Sequence, residues 1–279
     1  MDAALGIVCG MAGLAVFCFS PNSCPAASTA RDIMQQVESN QNRSAEFVQF
    51  DMVLIDKSGF NRRRTVREYR RRAPDGLSAS LIFFDDPPDI RGSALLSKER
   101  ADGWDDQWLY LPAVGKIRRI ADSGRTDYFL GSDLTFEDFS VEDINRFEYR
   151  FASADTIVAG WPVHVIDAAA VDSAAARRSG YGVRRVMVDA ERFVILQTDY
   201  FDRDGKRIKT LWASDVTRHG GVWRADRLKV DNERRSHRTE IVVSRRMIDA
   251  IFPPDLFTPR TLQSGAVPEI AGHPTRTTP

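Results

Sequence analysis

The pattern of apolar and polar positions changes character three times along this chain. From Ala3 to Phe19 it is almost unbroken in apolar and small residues, with no charge after Asp2. From Ser28 to Asn42 the spacing of Ile33, Met34 and Val37 is that of one face of an amphipathic helix, with Ser28 or Thr29 placed as its N-cap. Beyond it the period shortens to two. Phe47 to Ile55 and Thr65 to Arg72 predict strands on either side of the turn Asp56-Lys57-Ser58-Gly59. Leu81 to Phe84 predicts a short strand stopped by Asp85-Asp86-Pro87-Pro88, and Trp108 to Leu111 another stopped by Pro112.

The second half repeats this style. Strands are predicted over Val183 to Val188, Phe193 to Phe201, Arg207 to Ser214, Val222 to Val230 and Thr239 to Ser244. In the second of these, Val194, Leu196, Thr198 and Tyr200 are expected on one face. Regularly spaced strands and tight turns point to an antiparallel meander, closed or partly closed. Several strands are apolar on both faces, which fits a curved sheet that packs a helix or lines an apolar hollow, and equally a buried central strand. No Pro/Gly/Ser linker interrupts the middle, so one domain is expected over residues 29–262, followed by a Pro/Thr/Gly-rich tail at 263–279.

The opening apolar run is about 17 residues long, short of the ~20 that a membrane span needs. Small residues at Ala26, Ala27 and Ser28 follow it, so residues 1–28 read as a signal peptide cleaved near 26–28, or as an uncleaved anchor. No Lys or Arg precedes the run. All three cysteines (Cys9, Cys18, Cys24) fall in this opening stretch. The expected mature domain therefore has no disulfide and no thiol nucleophile.

Composition narrows the function classes. Of 279 residues, 43% are hydrophobic and 28% charged, too apolar for a disordered chain and enough for a sizeable core. Thirty-nine Lys and Arg balance 39 Asp and Glu, which argues against nucleic acid or a broad anionic surface as partner. Removing residues 1–28 takes away one acid, Asp2, leaving 39 against 38. The four histidines (His164, His219, His237, His273) have no metal-ligand spacing, and no nucleophile elbow or phosphate loop is present, so neither metal nor cofactor is expected. Asp202-x-Asp204-Gly205 reads as a hairpin turn rather than a calcium loop, since the later acidic ligand is missing. The pairs Asp85-Asp86, Asp105-Asp106 and Glu137-Asp138 read as turn and surface residues, because neighbours on a strand point to opposite faces.

Residues 61–72 carry seven arginines in twelve positions. A solvated edge that discourages strand-to-strand aggregation is the first reading. Docking on phospholipid headgroups or an acidic partner is the second. A nucleic-acid face is the third, and no recognised motif supports it.

Four segments carry a resemblance. They are Phe84-x-x-Pro87 with Arg91-Gly92-Ser93-Ala94-Leu95-Leu96; Asp106-Gln107-Trp108-Leu109-Tyr110-Leu111-Pro112-Ala113; Lys116-Ile117-Arg118-Arg119-Ile120; and Phe129-Leu130-Gly131-Ser132-Asp133-Leu134-Thr135-Phe136-Glu137-Asp138. In this order the chain resembles the outer-membrane lipoprotein-sorting family, the LolA-like proteins, in the branch found beside RND/MMPL-type exporters. The resemblance implies a mainly β fold with a few helices: an incomplete antiparallel β-barrel with a helical lid or plug over an apolar cavity. It implies a periplasmic, non-enzymatic carrier of lipid or lipoprotein acyl chains, with an inner-membrane exporter and an outer-membrane acceptor as partners. An accessory exporter scaffold without cargo is the alternative. A lipid hydrolase would need a nucleophile motif that the sequence lacks.

On that reading, Leu81, Phe83, Trp108, Tyr110, Leu134, Phe136, Phe139, Val194, Leu196 and Trp212 are the expected cavity and lid residues. Ser132 or Thr135 is expected to cap a lid helix through Phe139, after Gly131-Ser132-Asp133 ends a strand; a fixed core helix is the other option. Arg118 and Arg119 are expected to hold that lid through Asp133, Glu137 and Asp138.

Overall fold

A computed structural model describes residues 28–41, 45–102, 104–140 and 143–265; the expected signal segment through 27 and the tail from 266 lie outside the described residues. The described part begins with helix α1 (Ala30–Gln41) and continues through β1 (Ala45–Ile55), β2 (Asn61–Arg72), β3 (Ser78–Asp86), β4 (Ala94–Glu99), β5 (Asp105–Leu111) and β6 (Lys116–Arg119). A long strap over 120–146 follows, built from single 3-10 turns. Then come β7 (Phe147–Phe151), β8 (Thr156–Val158), β9 (Trp161–Ala170), the short helix α2 (Ser173–Arg178), β10 (Val183–Asp189), β11 (Ile195–Phe201), β12 (Arg207–His219), β13 (Val222–Asn232), β14 (His237–Ile248) and helix α3 (Pro259–Ser264).

All strand pairings are antiparallel and belong to one sheet, ordered β6-β5-β4-β3-β2-β1-β14-β13-β12-β11-β10-β9-β7, with β8 also on β9. Pairing of β1 with β14 joins the two ends of the chain at the centre of the sheet. The edge strands β6 and β7 do not pair, so the sheet stays open rather than closing as a barrel.

The paired faces explain the two-sided apolar pattern. On one face of β1–β5, Phe50, Met52, Val66, Ile82, Phe84 and Leu95 form a core with Phe129 and Phe136 of the strap. On the reverse face, Phe47, Tyr69, Leu81, Phe83 and Leu96 pack under Leu256, Phe257 and Leu262 of the C-terminal segment. Each side of this half-sheet therefore has its own cover, and burial of both faces is what its sequence records.

Helix α1 starts as its sequence predicts. The backbone N of Thr29 donates to Asp32 Oδ2 at 2.8 Å, and the N of Asp32 donates back to Thr29 Oγ1 at 3.2 Å. This reciprocal cap satisfies two donors that the helix cannot pair itself. Ile33, Met34 and Val37 face inward onto Ile166, Val186 and Val188 of β9 and β10. At the other end, Arg224 of β13 donates to the carbonyls of Asn40 and Gln41 and pairs with buried Glu46, which Arg246 of β14 also meets. Burial alone would raise the Glu46 carboxyl, and the two guanidinium groups more than reverse this, holding it below its usual range.

Several strands escape the sequence pattern. β4, β6, β7, β8 and β9 lie where no strand is expected, and the Ala-rich end of β9 is of low β propensity. β11 begins at Ile195 rather than Phe193, because Asp189 accepts from the backbone N of Glu191 and Arg192 and closes a tighter turn, leaving Phe193 at φ 52°.

Close approach of backbone at Gly182 gives a test of this architecture. A Cβ there would meet Asp202 O at 2.6 Å and Arg203 Cα at 3.0 Å, both main-chain atoms that cannot swing aside. Gly182→Ala is expected to destabilise by about 1–3 kcal/mol in equilibrium urea unfolding. Gly59→Ala, where no atom lies within 4 Å but φ is 85°, should cost less, about 1 kcal/mol.

Candidate functional site

The open sheet curls until β2 and β3 face β9, β10 and β11 across a cavity of about 320 Å³. α1 supplies one wall through Met34 and Val37, the strap supplies another through Asp138, Phe139 and Ser140, and Ala168, Val186 and Ile195 extend the apolar floor. An outer depression of about 450 Å³ lies beside Tyr128, Tyr181 and Arg234. The 320 Å³ cavity is the candidate site because the apolar side chains of α1, β9, β10 and β11 form a floor in it beside convergent polar groups.

The strap makes the enclosure. Its apolar side goes into the first half of the sheet: the ring of Phe129, 1% exposed, lies 5.6 Å from Phe84, 5.3 Å from Phe136 and 4.9 Å from Phe139. Backbone turns hold these rings in place. Leu130 and Gly131 adopt φ 47° and 81°, and Ser132 Oγ donates to Phe129 O while accepting from Leu134 N. Gln107 Nε2 donates to Phe136 O at 2.9 Å.

Polar groups of the same strap reach the second half. Asp133 Oδ2 meets His237 Nδ1 at 2.6 Å and accepts from Thr239 Oγ1 at 2.8 Å, both on β14. Glu137 accepts from Arg184 Nη2 and Ser179 Oγ at 2.6 Å each and from Gly180 N at 2.8 Å. Asp138 Oδ2 accepts from Lys209 Nζ of β12 at 2.5 Å and from Thr135 N at 2.7 Å, and Tyr181 Oη donates to Oδ1 at 3.0 Å. The Lys209 ammonium also donates to Asp133 O at 3.0 Å and lies 4.6 Å from the centre of the Tyr200 ring. With 1% of its side chain exposed, Lys209 depends on these partners for its charge.

Electrostatics of this node follow from burial. Desolvation would raise the Asp138 carboxyl; Lys209 beside it outweighs that and holds it below the usual carboxylate range. Burial, followed by the Asp138 charge, pushes the Tyr181 hydroxyl well above its ordinary value, so it stays a donor. Among the described residues no cluster of His, Cys, Asp or Glu could hold a metal ion.

Several sequence expectations are corrected here. Arg118 and Arg119 are exposed and do not hold the strap: Arg119 pairs with Asp106, and the strap carboxylates are taken by Lys209, Arg184, Arg235 and His237. The expected lid helix is a single 3-10 turn, Glu137–Phe139, and the Asp138 carboxylate accepts from both the backbone N and Oγ1 of Thr135 within that turn. The segment ahead of Gly131-Ser132-Asp133 is likewise a 3-10 turn, Phe129–Gly131, not a strand.

The ten expected cavity and lid residues are split between faces. Phe139 lines the cavity, with Leu134 and Phe136 in the core beside it. Leu81, Phe83, Trp108 and Tyr110 lie on the reverse face, toward the C-terminal segment. Val194 and Leu196 belong to a cluster with Val163 and Val165 on the outer side of β9–β11, and Trp212 is half-buried under Lys229, 4.1 Å from its ring centre. In β3 the strand was read with the wrong parity, and Ser80, Ile82 and Phe84 are the inward set. In β11 a bulge opposite Met187 and Val188 makes Leu196 an extra residue, which brings Ile195 and Thr198 to one side. Phe129, Lys209 and the cavity role of α1 were missed. Lys209 had a signal: alternation sets it on the face of Leu211, where a lysine demands an acid.

A family model whose description reads only "Uncharacterized protein" matches residues 76–264, more than half the chain. Among solved structures, a domain assigned to outer membrane lipoprotein sorting from Vibrio parahaemolyticus is similar at 25% identity and TM-score 0.77, covering 84% of this chain and 98% of its own. The chain belongs to the family of the model that matches residues 76–264, and its fold is LolA-like. A DUF1329 family protein from Desulfovibrio piger matches at 24% identity and TM-score 0.78, over 84% of this chain and 98% of its own. A LolA-superfamily protein from Nitrosomonas europaea has the same fold at 15% identity and TM-score 0.67, over 84% and 99%. No curated protein matches. In LolA-like terms, the strap with Phe129 is the plug of the open sheet, and among the described residues no helix is long and apolar enough to cross a membrane.

Asp138→Asn removes the charge opposite buried Lys209 and is expected to cost about 3–5 kcal/mol in urea unfolding. Pairing with Asp138→Leu and Lys209→Met together should recover much of that loss. Because the folded carboxyl titrates below its unfolded value, the Asp138 contribution is complete above pH ~4 and lost as pH falls through the lowered pKa. Acid unfolding curves of the wild type and Asp138→Asn should therefore converge as pH falls below ~4, while the double variant loses less stability there.

Proposed function

We propose that this protein is a non-enzymatic periplasmic carrier that shelters the acyl chain of a lipid or lipoprotein in the cavity between α1, the strap and β9–β11. The observation that carries this reading is the apolar floor of Met34, Val37, Ala168, Val186 and Ile195 under the strap, in a sheet that stays open on one side. Burying an acyl chain there is favourable by ~0.8 kcal/mol per CH₂, and no titratable machinery is needed for it. At about 320 Å³ the cavity is at the small end of ligand sites, so the reading has the strap yield to admit a longer chain. The part of the strap that carries Glu137 to Ser140 can swing away from the second half of the sheet, while Phe129 stays rooted in the core of the first half. Cargo would pass from an inner-membrane RND/MMPL-type exporter toward an outer-membrane acceptor.

Native mass spectrometry of protein taken from its own periplasm should show lipid adducts. Ala168→Phe, which fills the cavity, should remove them or weaken fluorescent fatty-acid binding at least roughly tenfold, with a stability cost of about 1–3 kcal/mol. Consistent absence of lipid from the wild type would instead favour an exporter scaffold without cargo.

A further inference from the structure

The arginine-rich strand β2 is not one surface. Arg62 and Arg63 are exposed near the β1–β2 turn, Arg64 is buried with its guanidinium 5.7 Å from the centre of the Phe84 ring, and Arg67 is bound to Asp85 through two hydrogen bonds of 2.6 Å. Arg71 points to the reverse face, 4.8 Å over the Phe257 ring. Arg70 and Arg72 alternate with it. They share the face of Val66, and both line the cavity.

Register then builds a site at that end of the cavity. Arg70 is opposite Ser80, and Arg72 is opposite Ser78, on the neighbouring strand β3. All four line the same cavity, whose apolar wall from α1 ends nearby at the exposed Gln41. Arg70 is held in place by Glu68, through contacts of 2.7 and 3.0 Å that leave Nη1 outside the pair. Arg72 is exposed and has no carboxylate partner among the described residues. Glu38 also lines the cavity, so two acids, Glu38 and Glu68, stand among the arginines of this end. Guanidinium forks beside hydroxyl donors are the chemistry that recognises phosphate oxygens.

We propose that this end of the cavity reads the phosphate of an anionic amphiphile, with Arg72 and Arg70 on the phosphate oxygens, Ser78 and Ser80 as supporting donors, and the acyl chain on the floor of Met34, Val37 and Val186. The inference rests on the carrier reading and narrows its cargo to phosphate-bearing lipids. It uses two of the strand's seven arginines, Arg70 and Arg72, and makes a local cationic end in a chain of zero net charge.

The test compares two ligands that share one acyl chain and differ only by phosphate, lysophosphatidic acid and the matching monoacylglycerol, with inorganic phosphate as a third arm. Titrations followed by calorimetry should show lysophosphatidic acid binding roughly tenfold or more tightly than monoacylglycerol, and inorganic phosphate far more weakly than either. Arg72→Gln and, separately, Ser78→Ala should narrow the ratio, and Arg63→Gln, 71% exposed at the other end of the same strand, should keep it. Circular dichroism melts of each variant check that the fold is intact. Equal binding of the two lipids overturns this inference and leaves the carrier reading standing. Inorganic phosphate binding as tightly as lysophosphatidic acid overturns it in favour of a free-anion site. No binding of either lipid sinks the inference and the carrier reading together.

Discussion

Lys209 places a full charge inside the protein, and the strap is shaped by the need to neutralise it. A buried ammonium with 1% exposure cannot stay charged unless a carboxylate and further oxygens surround it. Asp138, Asp133 O and the rings of Tyr181 and Tyr200 provide that surrounding, and all four groups lie outside β12 itself. Asp138 can reach Lys209 only if the chain after β6 crosses from the first half of the sheet to the second. The same crossing carries Phe129 and Phe136 over the apolar face of β1–β5. Polar and apolar demands thus fix the two sides of one segment.

Such a strap leaves the sheet open by construction. Its anchors in the second half are β12, β14 and the turn before β10, whereas α1 covers β9 and β10 separately through Ile33, Met34 and Val37. Between these covers the facing strands do not meet, and the cavity is the remaining space. Its polar end is set by β2, whose alternation delivers Arg70 and Arg72 to the inside and Arg71 to the outside. The Glu46–Arg224–Arg246 cluster ties the end of α1 to the central strands, so the helix wall is as fixed as the sheet wall.

Much of this was readable from the residues. Nine expected strands overlap observed ones, α1 lies within two residues of its expected bounds, and the incomplete antiparallel barrel that the resemblance implies is an open sheet in this chain. The motif Phe129 to Asp138 proved to be the strap itself. What the sequence hid was parity and partners. Leu81 and Phe83 are as apolar as Ile82 and Phe84, and when both faces of a strand are buried nothing local says which face looks inward. The bulge at Leu196 shifts alternation by one residue without any Gly or Pro to announce it. The acids of the strap find bases that are more than forty residues away in sequence, whereas Arg118 and Arg119 were near at hand and point to solvent.

On the proposed carrier reading, the strap closes the cavity over its cargo. Amide hydrogen exchange along residues 128–140, with and without a bound single-chain lipid, tests it most directly. The account predicts slower exchange of these amides in the loaded protein while the amides of β4 and β5 keep their rates. Saturating lipid binding that leaves the strap amides unchanged would contradict it.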